Sequence, residues 1–209
     1  MVPFRSVITM RLAPMLMSSL MMAIPAAPAP EGAFSRWRVS VDYGTVNPLS
    51  MGLWGERDGV WYRVEEVYYD SRREGRQKTD AEYADMLDRL AAGREMQRVI
   101  VDPSAASFIE TLRQRGWRVK KANNDVADGI RVTADLLKRR RIVICGACAD
   151  CLREMDEYVW DLSGGGKDRV KKENDHAMDD MRYFVRTAMQ RTLREYRMPP
   201  ADDNEEVMP

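Results

Sequence analysis

The sequence has few residues of the kinds that build disulfide frameworks or transition-metal sites. Its 209 residues include one histidine and three cysteines. An odd, small number of cysteines argues against a disulfide-bonded secreted domain and favours a reducing compartment. Cys145, Cys148 and Cys151 have the spacing of an iron–sulfur or zinc run, but a fourth ligand is missing. We interpret them as small apolar side chains packed in a core.

Long apolar runs and an excess of charge of one sign are also absent. Residues 12–24 are rich in Met and Leu, but the run is too short to span a bilayer and Pro14 interrupts it. Together with the proline-rich residues 25–30 it is only superficially similar to a secretory leader. We interpret residues 1–35 as a disordered or leader segment and residues 198–209 as a disordered acidic tail. One domain, residues 36–197, remains between them.

Lysine plus arginine and aspartate plus glutamate each number 33, so the chain is formally neutral. Binding to nucleic acid would therefore need a local basic patch. The two densest basic groups are residues 138–141 and residues 167–172. We interpret the first as a solvated helix end, because an apolar strand follows it.

The hydrophobic pattern predicts three strands followed by alternating helices and strands. Residues 38–43, 50–55 and 60–69 alternate apolar and polar side chains, which is typical of an antiparallel meander. A tight-turn signal at residues 56–59 separates the second strand from the third. Thr79 and Glu82 predict a capping box at the start of the next helix.

The remaining elements follow the same reasoning. We predict strands at residues 98–101, 117–120 and 141–145, and helices at residues 104–115, 126–138, 149–159 and 175–196. The prediction is an α/β fold of the ribonuclease H-like type, with a mixed five-stranded sheet flanked by helices. In such a sheet the ends of the first and fourth strands are neighbours.

Acidic residues occur at three places where a strand ends or a helix begins. Asp42 and Asp102 each end an apolar strand, and Asp175, Asp179 and Asp180 lie near the start of the last helix. Each has an ordinary explanation as a turn or helix-cap residue. A carboxylate at the end of a buried strand is costly unless metal or hydrogen bonds compensate it. Together, these residues predict a site for hard divalent cations, with His176 and Asp179 on one side of the helix.

These motifs resemble the nuclease domain of tailed-phage terminase large subunits. The resemblance spans residues 38–196 and is carried by three segments in order: Val41-Asp42-Tyr43-Gly44-Thr45, Val101-Asp102-Pro103-Ser104, and Asn174-Asp175-His176-Ala177-Met178-Asp179-Asp180. It implies an endonuclease with two Mg²⁺ or Mn²⁺ ions that cuts double-stranded DNA during genome packaging in the host cytoplasm. Asp42 would bridge both ions, Asp102 would hold one and Asp179 the other. His176 would orient water or contact the scissile phosphate.

The resemblance also implies partners. Lys167, Arg169, Lys171 and Lys172 precede the third motif, and we expect them to contact the DNA backbone, although a solvated loop is their ordinary interpretation. The portal protein and the small terminase subunit are expected partners. We do not expect the chain to associate with a membrane. A P-loop is absent, because residues 163–168 lack the required spacing. The ATPase motor would therefore be a separate part.

Two alternatives stay open at this stage. The chain could be an inactive prophage remnant or a docking fragment of the packaging complex. It could also be another ribonuclease H-like nuclease, such as a junction resolvase, because a carboxylate triad does not by itself select the substrate.

Overall fold

The computed structural model describes residues 26–158, 160–161, 169–170, 174–190 and 192–193. Most of them surround one mixed β-sheet, whose strands are β1 (Arg36–Asp42), β2 (Leu49–Arg57), β3 (Val60–Tyr69), β4 (Met96–Val101), β5 (Val119–Lys121) and β6 (Ile142–Ile144). Their order across the sheet is β5-β4-β1-β2-β3-β6. The first three strands are antiparallel, whereas β4 pairs parallel with β1, β5 with β4, and β6 with β3.

The α/β class and the strand directions agree with the prediction, but the sheet has six strands rather than five. The strand predicted at residues 141–145 is β6, and it is the sixth member of the sheet, where it pairs with Trp61, Tyr62 and Arg63 of β3 at the edge. Its three residues carry too little pattern to reveal this partner, which is distant in the sequence.

The turn between β2 and β3 is the predicted one. Asp58 and Gly59 both have positive φ, at 53° and 75°. An Asp-Gly pair suits such a turn because aspartate tolerates this conformation and glycine adopts it without steric cost. The turn fixes the register of the hairpin as far as Trp54, which faces Arg63; a bulge then shifts the register by one residue, so that Leu49 faces Tyr69 at the other end.

In the described part of the chain, five helices cover the sheet: α1 (Asp80–Ala91), α2 (Ala106–Gln114), α3 (Val126–Lys138), α4 (Ala149–Glu157) and α5 (His176–Ala188). The capping box of Thr79 and Glu82 at the start of α1 is confirmed, and α3 has its predicted bounds. The last helix was predicted to reach residue 196: α5 ends at Ala188, residues 190 and 192–193 are helical again after a break at Met189, and residues 191 and 194–196 lie outside the described part of the chain.

The two faces of the sheet pack against different helices. Val39 and Val41 of β1 belong to the core formed with α1 and α2, whereas Trp54 and Ile100 belong to the core formed with α3, α4 and α5. Because side chains alternate along a strand, Ser40 and Asp42 point to the opposite face from Val39 and Val41, the face that α5 covers. This alternation decides that Asp42 meets the last helix.

Stacked aromatic rings hold α5 against the centre of the sheet. Phe184 of α5 stacks on Trp54 of β2 with 4.1 Å between ring centroids, and its ring also meets Trp61 edge-on. All three side chains are buried. Contacts of this kind add to the free energy of burial and fix the position of α5 relative to β1.

A separate pair of short strands precedes α5. Strands β7 (Trp160–Asp161) and β8 (Arg169–Val170) are antiparallel, and residues 162–168 between them lie outside the described residues. Ahead of the sheet, Ala27 pairs with Cys145, donating its N–H to Ile144. Within the described part, none of the helices has the length and apolar character needed to cross a bilayer.

Candidate active site

Asp42 and Asp102 lie side by side at the ends of two neighbouring parallel strands. Val41 pairs with Val101, and the N–H of Asp102 donates to the carbonyl oxygen of Val41 at 3.1 Å. The adjacency predicted from strand order is therefore present. Both aspartates line one open cleft of about 1050 Å³.

The start of α5 forms another wall of the same cleft. Asp175, His176 and Asp179 all line it. The structure thus brings together all four residues predicted to be catalytic, although they come from three separate parts of the sequence. Asp175 is the residue immediately before the helix, and it lines the cleft as well.

His176 and Asp42 are in direct contact. The His176 Nδ1 atom lies 2.9 Å from Oδ2 of Asp42. Burial raises the pKa of Asp42 to about 7; the hydrogen bond from His176 opposes this rise, and the charges of Asp179 and Asp180 add to it. Burial lowers the pKa of His176, but the hydrogen bond to Asp42 and the surrounding carboxylates outweigh it and raise that pKa. The pair therefore holds a proton readily near neutral pH.

Asp102 uses one of its carboxylate oxygens locally. Its Oδ1 accepts the N–H of Ser104 at 2.8 Å, which is the turn contact expected of an aspartate in this position. The ordinary interpretation of Asp102 is therefore correct for one oxygen. Among the described residues, Oδ2 of Asp102 has no hydrogen-bond partner.

Asp179 is paired with a buried arginine one helical turn later. Arg182 approaches Asp179 Oδ1 with Nε at 3.1 Å and Nη2 at 2.8 Å. The remaining nitrogen, Nη1, donates to Asn124 Oδ1 at 2.9 Å. Arg182 thus fixes the rotamer of Asp179 and ties α5 to the segment that precedes α3.

Asp180 has a different role from its neighbour Asp179. It is completely buried and forms a two-pronged ion pair with Arg63, with Nη2 to Oδ2 at 2.9 Å. Ser40 donates to Oδ1 at 2.8 Å and Ser50 donates to Oδ2. Of the two other acids near the start of the last helix, Asp175 lines the cleft and Asp180 belongs to the core.

Glu154 anchors the start of α5, a role that was not predicted from the sequence. Its Oε2 accepts the N–H groups of Ala177 at 2.6 Å and Met178 at 3.3 Å, while Oε1 accepts the hydroxyl of Tyr68 at 2.7 Å. These amides would otherwise lack a partner at the helix end. An acid between Cys151 and Met155 on the buried side of α4 was the signal, because a buried carboxylate needs donors.

The basic residues predicted to contact DNA are mostly outside the described residues. Lys167, Lys171 and Lys172 fall there, and Arg169 is placed only as part of strand β8. Their role in binding DNA stays a prediction. The three cysteines are free and buried, in keeping with their interpretation as core side chains.

The donor set suits a hard divalent cation. Asp42, Asp102 and Asp179 each have one oxygen held by a protein donor and, within the described part of the chain, a second oxygen without one. Carboxylate oxygens are the ligands that Mg²⁺ and Mn²⁺ prefer. No three His, Cys, Asp or Glu side chains among the described residues form a closed cage for an ion. The fit therefore rests on the chemistry of the donors and on the cleft that they share.

Residues 53–187 match the family described as Terminase RNaseH-like domain. Asp102, His176 and Asp179 lie inside the match, and Asp42 precedes it. The terminase large subunit of Escherichia phage T5 is 23% identical over 131 residues, which cover 59% of this chain and 30% of that protein.

Solved structures agree with this match. The large terminase of a thermophilic bacteriophage, solved with ATP-gamma-S, is 43% identical with a TM-score of 0.79, covering 83% of this chain and 45% of that one. The nuclease domain of the large terminase g2p of bacteriophage SPP1, solved with bound Mn, has a TM-score of 0.58 at 19% identity, covering 78% and 93% of the two chains. The SPP1 likeness shows the fold alone. This chain spans less than half the length of the T5 protein and of the thermophilic-phage terminase.

Proposed function

Because the chain belongs to the Terminase RNaseH-like domain family, we propose that it is a nuclease of phage genome packaging that cuts double-stranded DNA with the help of divalent metal. The observation that carries the proposal is the convergence of Asp42, Asp102, His176 and Asp179 on one cleft. The donor set, two strand ends and one helix start, supplies the carboxylate oxygens that such cations prefer as ligands.

Asp42, Asp102 and Asp179 would hold two Mg²⁺ or Mn²⁺ ions. When bound, such ions lower the pKa of water and stabilise negative charge on the entering and leaving oxygens of a phosphodiester. The protein positions the other groups. His176 is held through Nδ1 by Asp42. Among the described residues its Nε2 has no protein partner, which leaves that nitrogen to orient water or to contact the scissile phosphate.

Translocation of DNA would require an ATPase, and the 209 residues of this sequence contain no P-loop motif. The relatives from phage T5 and from the thermophilic phage are longer than this chain. We therefore propose that the nuclease works beside a motor part, a portal protein and a small subunit in the cytoplasm of the bacterial host. Residues 36–197 would form the nuclease domain.

The test is cleavage of supercoiled plasmid by the purified chain over a range of Mn²⁺ and Mg²⁺ concentrations. Asp102→Asn is the sharpest variant, because asparagine keeps the oxygen that accepts the Ser104 N–H and removes only the charge. Asp58→Asn in the distant hairpin turn is the matched control. We expect metal-dependent nicking that Asp102→Asn abolishes and Asp58→Asn leaves unchanged.

A chain that nicks no plasmid at any metal concentration would overturn the proposal and favour the inactive remnant or docking fragment. If the chain does cut plasmid, its cleavage of linear duplex, of a four-way junction and of an RNA–DNA hybrid should be compared. Preferential cutting of the junction would instead favour a resolvase. Equal cutting by Asp102→Asn and the unaltered chain would remove the proposed site.

A further inference from the structure

The connection between β3 and α1 concentrates positive charge beside the candidate active site. Residues 71–78, here called the basic loop, contain Arg72, Arg73, Arg76 and Lys78 against a single acid, Glu74. The whole chain is neutral, so this local excess is not a general property of the surface. Local basic clusters are the usual electrostatic mark of a surface that meets phosphate.

Two hydrogen bonds attach the basic loop to the cleft. Ser71 is buried, and its hydroxyl donates to the carbonyl oxygen of Val46 at 3.1 Å. Arg72 Nη2 donates to Asn47 Oδ1 at 3.3 Å. Val46 and Asn47 both line the cleft that contains Asp42 and Asp102. The guanidinium of Arg72 therefore lies at the lip of the candidate active site.

The basic loop is folded. The N–H of Glu74 donates to Asp70 O at 2.9 Å, and the N–H of Arg76 donates to Ser71 O at 3.1 Å. The hydroxyl of Tyr69 donates to the carbonyl oxygen of Arg76 at 2.7 Å. Because these bonds already order the backbone, a ligand need only order the side chains, which lowers the entropic cost of binding.

Arg72 and Arg73 are the cations that remain available to a ligand. Both are exposed. Arg76 is paired with Glu82, and Lys78 Nζ lies 4.6 Å from the ring centre of Tyr69. In contrast, within the described part of the chain no carboxylate pairs with the guanidinium of Arg73. Arg73 directly follows Arg72 in the folded loop, so the two guanidinium groups can each contact a phosphate oxygen.

The cleft itself needs such help to admit a polyanion. Asp42, Asp102 and Asp179 would repel phosphate until cations are bound. Two large apolar side chains of the described residues are exposed, Val46 by 49% and Val126 by 45%, and both line this cleft. A lip that combines arginine with apolar surface suits a sugar–phosphate backbone, which offers charge on the phosphates and apolar faces on the sugars.

We propose that Arg72 and Arg73 hold the phosphate backbone of duplex DNA at the lip of the cleft. The inference rests on the proposed function for what is cut, but it concerns the surface that binds. The contacts are to phosphate and carry no sequence information, so they act equally on any duplex. They would set how tightly DNA is held and leave the chemistry at Asp42, Asp102 and Asp179 unchanged.

The test compares two double variants of the full chain that lose the same charge. Arg72→Gln/Arg73→Gln alters the proposed surface, whereas Arg113→Gln/Lys138→Gln alters exposed cations near the C-terminal ends of α2 and α3. Duplex binding is measured by fluorescence anisotropy with Ca²⁺ in place of Mg²⁺, over a series of salt concentrations. Plasmid cleavage in Mn²⁺ gives KM and kcat separately.

We expect Arg72→Gln/Arg73→Gln to weaken duplex binding roughly tenfold and to make the negative slope of log affinity against log salt shallower by about 1.8, since each lost phosphate contact contributes roughly 0.9. KM should rise with little change in kcat, and the control pair should behave as the unaltered chain. An active chain whose binding and salt slope are unaffected by Arg72→Gln/Arg73→Gln would overturn this inference alone. If the chain never cuts DNA but its binding of duplex depends on these arginines, the proposed binding surface is supported and the proposed nuclease activity is overturned. A chain that neither binds nor cuts duplex overturns both.

Discussion

His176 and Asp42 form one hydrogen-bonded pair across the junction of the last helix and the first strand, with 2.9 Å between Nδ1 and Oδ2. The two residues are 134 positions apart in the sequence. The contact places a group that can carry a proton against a carboxylate that burial makes reluctant to ionise. The pair consequently links the stability of the metal-free chain to pH.

Metal-free protein should lose stability as the pH rises. Burial raises the pKa of Asp42 to about 7, above the unfolded value of about 3.9, and the pKa of His176 is raised as well. The native state therefore binds more protons than the unfolded state in this window, and the resulting stabilisation is present at low pH and lost as pH rises through about 7. We expect the free energy of unfolding to fall by roughly 2 kcal/mol between about pH 5 and pH 8.

Urea denaturation in the presence of a chelator measures this change. Asp42→Asn is the comparison, because asparagine keeps an oxygen for His176 but does not titrate. Its unfolding free energy should depend less on pH and exceed that of the unaltered chain at the alkaline end. Parallel profiles for the two proteins would show that Asp42 is not the titrating group.

Asp179 and Asp180 are adjacent in the sequence and should respond in opposite ways to the same substitution. Asp179→Asn should abolish cleavage and lower the free energy of unfolding by only roughly 1–2 kcal/mol, since the buried guanidinium of Arg182 keeps Asn124 and the asparagine oxygen as acceptors. Asp180→Asn should cost roughly 3 kcal/mol or more, because it leaves the charge of Arg63 buried with Glu66 as its one carboxylate partner among the described residues.

Urea titrations and plasmid nicking, both at a temperature where each variant is folded, separate the two effects. We expect folded Asp180→Asn to cut plasmid at close to the rate of the unaltered chain. An Asp180→Asn variant as stable as the unaltered chain would show that the buried ion pair with Arg63 contributes little to the free energy of unfolding.

Asp42 and Asp102 could be predicted from the sequence because each ends an apolar strand, which is a short-range signal. Their adjacency was predicted from the strand order of the ribonuclease H-like architecture instead. An apolar strand followed by an acid is visible in the sequence, and parallel neighbours follow from strand order. The bounds of α3 were predictable for the same reason, since Val126, Ile130 and Leu137 repeat at helical spacing. The strand ends and the bounds of α3 each depend on a few neighbouring residues.

The environment of Asp180 could not be predicted, because it depends on contacts between distant strands. Arg63 fits beside Asp180 only because Gly52 has no side chain: a Cβ there would lie 2.4 Å from Arg63 Nη1. No pattern within one segment reports that a glycine on β2 makes room for an arginine on β3. The attachment of residues 71–78 to the cleft through Val46 and Asn47 was hidden for the same reason.

Glu154 should act on the site through the helix that it anchors. Replacing it by alanine removes the acceptor for the N–H groups of Ala177 and Met178, which lie between His176 and Asp179. Leaving these buried donors unpaired should cost roughly 1–3 kcal/mol. The start of α5 should also become less ordered, so the Mn²⁺ concentration that gives half-maximal cleavage should rise. Glu154→Gln should restore much of both, since a glutamine oxygen can accept the same amides.

Tyr68→Phe separates positioning from stability, because it removes only the hydroxyl that donates to the other oxygen of Glu154. This variant should lower the free energy of unfolding without altering the Mn²⁺ dependence. Urea midpoints and Mn²⁺ titrations of cleavage are the measurements for all three variants. A normal Mn²⁺ dependence in folded Glu154→Ala would mean that Asp179 keeps its place without the anchor. A shifted dependence in Tyr68→Phe would instead attribute the effect to general loosening of the core between β3 and α4.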